Sequence, residues 1–313
     1  MNKTNLISIP HLERIRELYP ELSLEDIDLN NEGLVNQVLV VNNERVFRFP
    51  RSAWAQESLQ HEARILALLR DKVDVALPHY DYLAEDVASY QRLPGRTLAR
   101  NLLLQLPDSD QEAIAEQLAE FLRTMHETPP AELEANQIGP SDTVRTREDW
   151  LNLYERVHEQ LFPYLMAHAK EWVYNHFSWV IDNPYFMEHR PVLMHGDISC
   201  YHILFDDERR RISGMIDLGT AGLGDPAADF GCVIYQYGET FLKRMSRYYP
   251  DIVNHIDRGR FWAGTLELQW ALGGLRDMQQ VVPEADRGKA DWSWFTVHIG
   301  MAAKDMRPIG EAF

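Results

Sequence analysis

At 313 residues, with 45% apolar and 11% aromatic side chains, the chain can bury one large core or two modest ones, and extended disorder is excluded. Its 31 Lys and Arg against 48 Asp and Glu leave a formal charge of −17, which disfavours nucleic acid and anionic membranes as partners and would concentrate a polycationic small molecule, although acidity also serves solubility alone. Two cysteines, Cys200 and Cys232, are too few for a disulfide framework or a four-ligand zinc site, and no stretch reaches the roughly 18 apolar residues of a membrane span, so the expected location is cytoplasmic.

Residues 12–19, LERIRELY, predict a short amphipathic helix stopped by Pro20. Strands are predicted over 34–41 and 45–49, joined by a tight Asn42-Asn43 turn, because asparagine tolerates the positive φ that such turns need. Leu59, Ala63, Leu66 and Leu69 fall at helical spacing and predict a helix over 54–69. Two further short strands, YDYLAED and ASYQRLPG, close at Pro94-Gly95. Helical patterns then dominate: TLARNLLLQL, QEAIAEQLAEFLRTMHET up to Pro129-Pro130, and one long aromatic-rich pattern over 147–180. Helices resume from Asp229 to the end, and no internal repeat is visible. The change of character places a boundary at Arg92 to Gly95, dividing a β-rich lobe, 1–92, from a helical lobe, 93–313.

Between the helical stretches, two apolar runs each end in an aspartate: Val192-Leu193-Met194 leads into His195-Gly196-Asp197, and Met215-Ile216 leads into Asp217-Leu218-Gly219. An antiparallel hairpin between 203–205 and 212–216 would bring His202 and Asp217 to the same end, where they could hold a divalent cation over a phosphate while Asp197 serves as a base or orienting carboxylate. Each piece alone also has a plain structural reading, since an Asp after a strand often caps a turn and a single His often packs in a core. The Asp225-Pro226 pair suits a helix start, with Asp225 as cap.

The joint spacing resembles the protein-kinase catalytic apparatus, and the glycine inside His195-Gly196-Asp197, together with GDPAADF at 224–230, is similar to the aminoglycoside phosphotransferase family. Histidine at 202, where that apparatus has asparagine, resembles the aminoglycoside 2″-phosphotransferases and macrolide phosphotransferases. The resemblance implies an α+β, bilobal, protein-kinase-like fold with a small β-rich N-lobe and a larger helical C-lobe. It implies Asp197 as the catalytic base, and His202 and Asp217 as ligands of Mg2+, with His202 neutral. Arg48 then stands where the family usually has a lysine for the nucleotide phosphates, and Glu62 is its partner. Gly33 and Asn36 form a reduced glycine loop, and Ser89, Tyr90, Gln91 and Arg92 the hinge whose backbone groups would read the base. His195, Asp225 and Asp229 are expected in support, Asp229 bracing the catalytic loop, and Glu239, Glu267, Trp270 and Asp277 are expected at the acceptor site.

The implied reaction moves the γ-phosphoryl group of ATP or GTP to a hydroxyl of a small molecule. A cationic aminoglycoside ranks first as acceptor. A macrolide ranks second, with the tryptophans at 262, 270, 292 and 294 available for a more apolar groove, and a metabolic alcohol such as homoserine, choline or a sugar ranks third. A reading of another class is a non-catalytic, kinase-like nucleotide-binding protein, with Arg48 and His202 in its favour and the two intact aspartates against it.

Overall fold

The computed structural model describes residues 9–30, 35–141, 143, 146–279 and 305–313. Helix α1 (Ile9–Leu18) precedes five strands, β1 (Ile27–Asn30), β2 (Asn36–Val41), β3 (Arg45–Pro50), β4 (Tyr80–Leu83) and β5 (Ala88–Gln91), which form one antiparallel sheet in the order β1-β2-β3-β5-β4. Asn42 and Asn43, at φ 52° and 55°, make the β2–β3 turn, and the Glu44 N–H closes it on the Val41 carbonyl at 3.0 Å.

Alternation along β3 sorts its side chains. Phe47 and Phe49 join Ile15, Leu39, Val41 and Val87 in a small core shared with α1, whereas Arg48 lies on the opposite face. That face is met by α2 (Ala53–Leu69), capped by Ser52 and burying Leu59, Glu62, Ile65, Leu66 and Leu69. A cation on the strand therefore faces a carboxylate on the helix, both inside the protein.

After Gln91 the chain leaves this sheet. Strand β6 (Arg96–Thr97) pairs with β8 (Ile203–Asp206), and β8 with β9 (Arg211–Met215); β7 (Val192–Met194) pairs with β10 (Gly222–Gly224). Around them stand α3 (Arg100–Gln105), α4 (Asp108–His126), α5 (Pro130–Ala135), α6 (Arg147–Arg156), α7 (Ala167–Asp182), α8 (Ala227–Tyr237), α9 (Glu239–Met245) and α10 (Ile256–Gln279). One core gathers Leu118, Leu122, Ile203, Phe205, Phe230 and Leu242; another gathers Trp150, Val173, Phe177, Phe261 and Leu268. Among the described residues, no helix is long and apolar enough to cross a membrane.

The pattern over 147–180 is not one helix. It breaks into α6 and α7 around a π turn at Val157–Leu161 and a 3-10 turn at Phe162–Tyr164, because Pro163 has no N–H to continue the ladder. Strands β1 and β10 and helix α5 are too short to leave a periodic signal, and sequence reading does not find them.

The aromatic core also holds an unusual base. The His176 ring stacks between Trp172, 4.4 Å away, and Phe261, 4.7 Å away, with its Nε2 bonded to the Phe261 carbonyl at 2.9 Å. Gly264 leaves room for it, since a Cβ there would run into the imidazole. Burial lowers the pKa from 6.5 to about 4. The folded value lies below the unfolded one, so this contribution to stability is complete above pH 6.5 and is lost as pH falls toward 4. The change amounts to roughly 3 kcal/mol. Urea unfolding followed between pH 7 and 4 should show that decline, and His176→Phe should make the slope shallower by the His176 share.

Candidate active site

Arg48 is almost wholly buried and Glu62 entirely so. The Arg48 Nη1 donates to Glu62 Oε2 at 2.7 Å and to the Tyr80 hydroxyl at 2.8 Å, while that hydroxyl donates to Glu62 Oε2 at 3.0 Å. The other carboxylate oxygen, Oε1, accepts the Leu218 backbone N–H at 3.0 Å. Burial raises the Glu62 pKa, opposed by Arg48. For Arg48 burial acts to lower the pKa, but Glu62, Tyr80 and Asp217 outweigh it and hold the guanidinium charged. Glu62 thus links the small sheet to the segment that carries Asp217.

The β8–β9 hairpin does bring His202 and Asp217 to one end. The Arg48 Nη2 lies 3.3 Å from Asp217 Oδ1, and His202 Nε2 lies 3.4 Å from Asp217 Oδ2. On its other side His202 Nδ1 meets the Asp197 carbonyl at 3.0 Å and the Asp197 carboxylate at 3.6 Å. One imidazole therefore sits between two aspartates, each with about half of its side chain accessible to solvent: 48% for Asp197 and 46% for Asp217. Asp217 adopts φ 63°, a left-handed conformation in which an aspartate is tolerated and most residues are strained.

The two carboxylates are driven in opposite directions. Burial raises the Asp197 pKa despite His202 and His195. Burial acts the same way on Asp217, but there Arg48, followed by His202, reverses it and lowers the pKa. A more basic carboxylate beside a firmly ionised one is the division of labour that a proton acceptor and a cation ligand require. Burial acts to lower the His202 pKa, but Asp197 and Asp217 together outweigh it and raise it.

Asp229 fixes the loop beneath. Its carboxylate accepts the His195 N–H at 2.9 Å and the Gly196 N–H at 2.8 Å, and it bonds His126 Nε2 at 3.0 Å; His126 Nδ1 in turn reaches the Tyr249 hydroxyl at 3.2 Å. Burial acts to raise the Asp229 pKa, and the hydrogen bond and charge of His126, with His195 behind them, bring it below the usual value. Gly196 sits at φ 81°, which requires glycine between the histidine and Asp197. His195 is fully buried and burial lowers its pKa, while its Nδ1 accepts the Asp197 N–H at 3.3 Å. Asp225 accepts the Ala227 N–H at 3.0 Å as α8 begins, and also binds Arg258 at 3.0 Å.

Other expected residues have partners of their own or fall outside the described residues. Glu239 does not face an acceptor: both its oxygens are taken by the fully buried Arg260, at 3.0 and 2.7 Å, and by the Arg307 N–H. Glu267 is buried with its Oε1 3.5 Å from the Tyr235 hydroxyl, and Trp270 packs edge-on against Tyr235 at 4.7 Å. The backbone of Asp277 belongs to α10, but its side chain lies outside the described residues, as do Gly33, Trp292 and Trp294. Trp262 is core, packed on Trp150. Asn36 is buried at the start of β2, opposite Pro50. At the hinge, Tyr90 is buried and Gln91 exposed, while the Arg92 N–H is already donated to the Glu44 carbonyl at 2.7 Å and cannot read a base. Sequence reading missed Tyr80 and His126; the latter left a signal, as a polar residue within the buried stripe of α4 that includes Leu118, Leu122 and Met125.

A small antiparallel sheet and a helical part meeting over two aspartates, with a cation–carboxylate pair between them, define a protein-kinase-like phosphotransferase. The sequence pattern of the phosphotransferase enzyme family, APH, matches residues 26–262, and the chain belongs to that family; it is a phosphotransferase with an alcohol group as acceptor. It is 28% identical to YcbJ, an uncharacterized protein of Bacillus subtilis (strain 168), with 89% of each chain covered. It is 26% identical to the viomycin phosphotransferase of Streptomyces vinaceus, over 79% of this chain and 86% of that one. Among solved structures, the GDP and kanamycin complex of APH(2″)-IIIa superposes with a TM-score of 0.80 at 26% identity, covering 93% of this chain and 96% of that one.

The Asp229 carboxylate holds the loop through two backbone N–H groups at once, which an amide cannot reproduce with its single oxygen. Asp229→Asn should therefore lower kcat by about 100-fold through misplacement of Asp197, with nucleotide affinity changed far less. Steady-state kinetics beside a direct binding titration would separate the two.

Proposed function

We propose that the protein transfers the γ-phosphoryl group of ATP or GTP to a hydroxyl of a cationic, aminoglycoside-like small molecule. The observation that carries this reading is the pair of half-exposed aspartates on one imidazole, Asp197 raised and Asp217 lowered in pKa, next to the Arg48–Glu62 pair. Asp197 orients the acceptor hydroxyl and receives its proton as the oxygen attacks. Arg48 Nη2, which faces Asp217, would hold phosphate oxygens, and the backbone groups of the β5 end at Tyr90 and Gln91 would read the base. Most of the catalysis comes from positioning and charge neutralisation.

The donor set suits magnesium bound through one carboxylate plus phosphate oxygens and water, because Asp217 is ionised and half-exposed; among the described residues no group of three or more His, Cys, Asp and Glu forms a closed cage. Asp217 would be its ligand, with His202 the weaker donor beside it. When bound, the ion neutralises charge on the transferring phosphoryl group.

GDP in the APH(2″)-IIIa complex supports GTP as a donor, and the kanamycin of that complex and the name of the viomycin enzyme support an antibiotic acceptor. The charge of −17 favours a cationic one. Macrolides and small metabolic alcohols remain the competing acceptors, and the trial is release of nucleoside diphosphate with magnesium and either ATP or GTP across the three classes. Turnover is expected with an aminoglycoside-like acceptor and is expected to vanish in Asp197→Asn. Tight nucleotide binding with no turnover on any acceptor would favour the non-catalytic reading. His202→Ala should raise the magnesium concentration needed for half-maximal turnover, and an unchanged requirement would remove His202 from the metal site.

A further inference from the structure

We infer that Tyr80 is a positioning residue, which locks the Arg48 guanidinium in the one orientation that turns Nη2 toward Asp217 and the cleft. This rests on the reading of Arg48 as the phosphate-binding cation. The problem Tyr80 solves is specific to arginine. An ammonium group looks the same from every side, but a guanidinium is a flat fork with distinct edges, and its preferred partner geometry is two parallel bonds to one carboxylate. If Arg48 took both oxygens of Glu62 in that way, Nη2 would be drawn onto α2 and away from the phosphates.

Two groups oppose the collapse. The Leu218 N–H binds Glu62 Oε1 at 3.0 Å and competes with the guanidinium for that oxygen, while Arg48 bonds Oε2. The Tyr80 hydroxyl then accepts from the same Nη1 that serves Glu62, at 2.8 Å against 2.7 Å, and passes its own hydrogen to Oε2 at 3.0 Å. The three groups close a ring that uses both hydrogens of Nη1. Rotation about the guanidinium would break two bonds in a nearly dry site, so Nη2 is left as the nitrogen facing Asp217 Oδ1, at 3.3 Å. Tyr80 comes from β4, two strands from β3 in sheet order reached across β5, and packs against Tyr90, whose ring centroid lies 5.7 Å away. Neither tyrosine ring needs to touch the substrate for the hydroxyl to act.

The test is a double-mutant cycle on nucleotide binding, by calorimetry with GDP and with ADP in magnesium. Tyr80→Phe keeps the ring and removes only the hydroxyl. In the Arg48 parent it should weaken binding about tenfold. In an Arg48→Lys background, where no fork has to be oriented, the same change should weaken it less than about twofold. An equal loss in both backgrounds would show that Tyr80 merely supports the fold, and no loss in the parent would show that the hydroxyl has no part in binding; either result overturns the inference. A second measurement reads the lock itself. Guanidinium 15N spectra should show separate, slowly exchanging Nη1 and Nη2 signals for Arg48 in the parent and rotational averaging in Tyr80→Phe, whereas equal rotation in both overturns the proposal even where Arg48→Lys fails to fold. Should the parent bind neither nucleotide, the nucleotide reading of the site falls and the spectra alone decide the lock.

Discussion

The carboxylate of Glu62 is the constraint on which the rest of the site depends. It is wholly buried, holds the cation of β3 on one oxygen and receives the Leu218 N–H of the other lobe on the other. Burying such a pair is not a source of stability in itself, since desolvation consumes most of the attraction, but breaking it by removing one partner costs about 3–5 kcal/mol. The pair therefore acts as a registration device. When α2 is correctly docked, Leu218 is held, and Asp217, its neighbour in sequence, is held in a left-handed conformation that an unconstrained chain would rarely adopt.

From that point outward the site is layered. Asp217 and Asp197 share one imidazole but not one environment: Arg48 overcomes burial at the first, and nothing of comparable charge does so at the second. Behind Asp197 the chain of Asp229, His126 and Tyr249 satisfies the backbone of the loop from α8, α4 and the turn before α10. Each of these groups is buried and paired, so the half-exposed carboxylates in front of them stand on a stiff support. The same logic explains Gly196, whose conformation lets two successive N–H groups point to one carboxylate.

What could be read from the sequence was what local chemistry decides. The paired asparagines specify the β2–β3 turn, the alternation of Phe47, Arg48 and Phe49 sends the arginine away from the phenylalanines, and two apolar runs announce the strand ends that carry Asp197 and Asp217. What could not be read depends on partners distant in the chain. Glu239 looked available for a cationic substrate because its consumer, Arg260, lies a helix away and is itself wholly buried; nothing in YGETFL reveals that. Tyr80 looked like any strand tyrosine until β4 was placed across β5 from β3. The break inside 147–180 was marked by Pro163, but amphipathic spacing on both sides hid it.

The loss of Glu239 changes how acceptor recognition can work. A net charge of −17 is felt within about one Debye length of the surface, roughly 8–10 Å at 0.1–0.15 M salt, where it favours any polycation without choosing among them. Choice has to come from short-range contacts, and Glu239 is not available for them because Arg260 and the Arg307 N–H hold both of its oxygens. Long-range attraction and short-range selection are therefore separate physical problems: the first follows from summed charge and is screened by salt, whereas the second requires desolvated partners held at fixed positions.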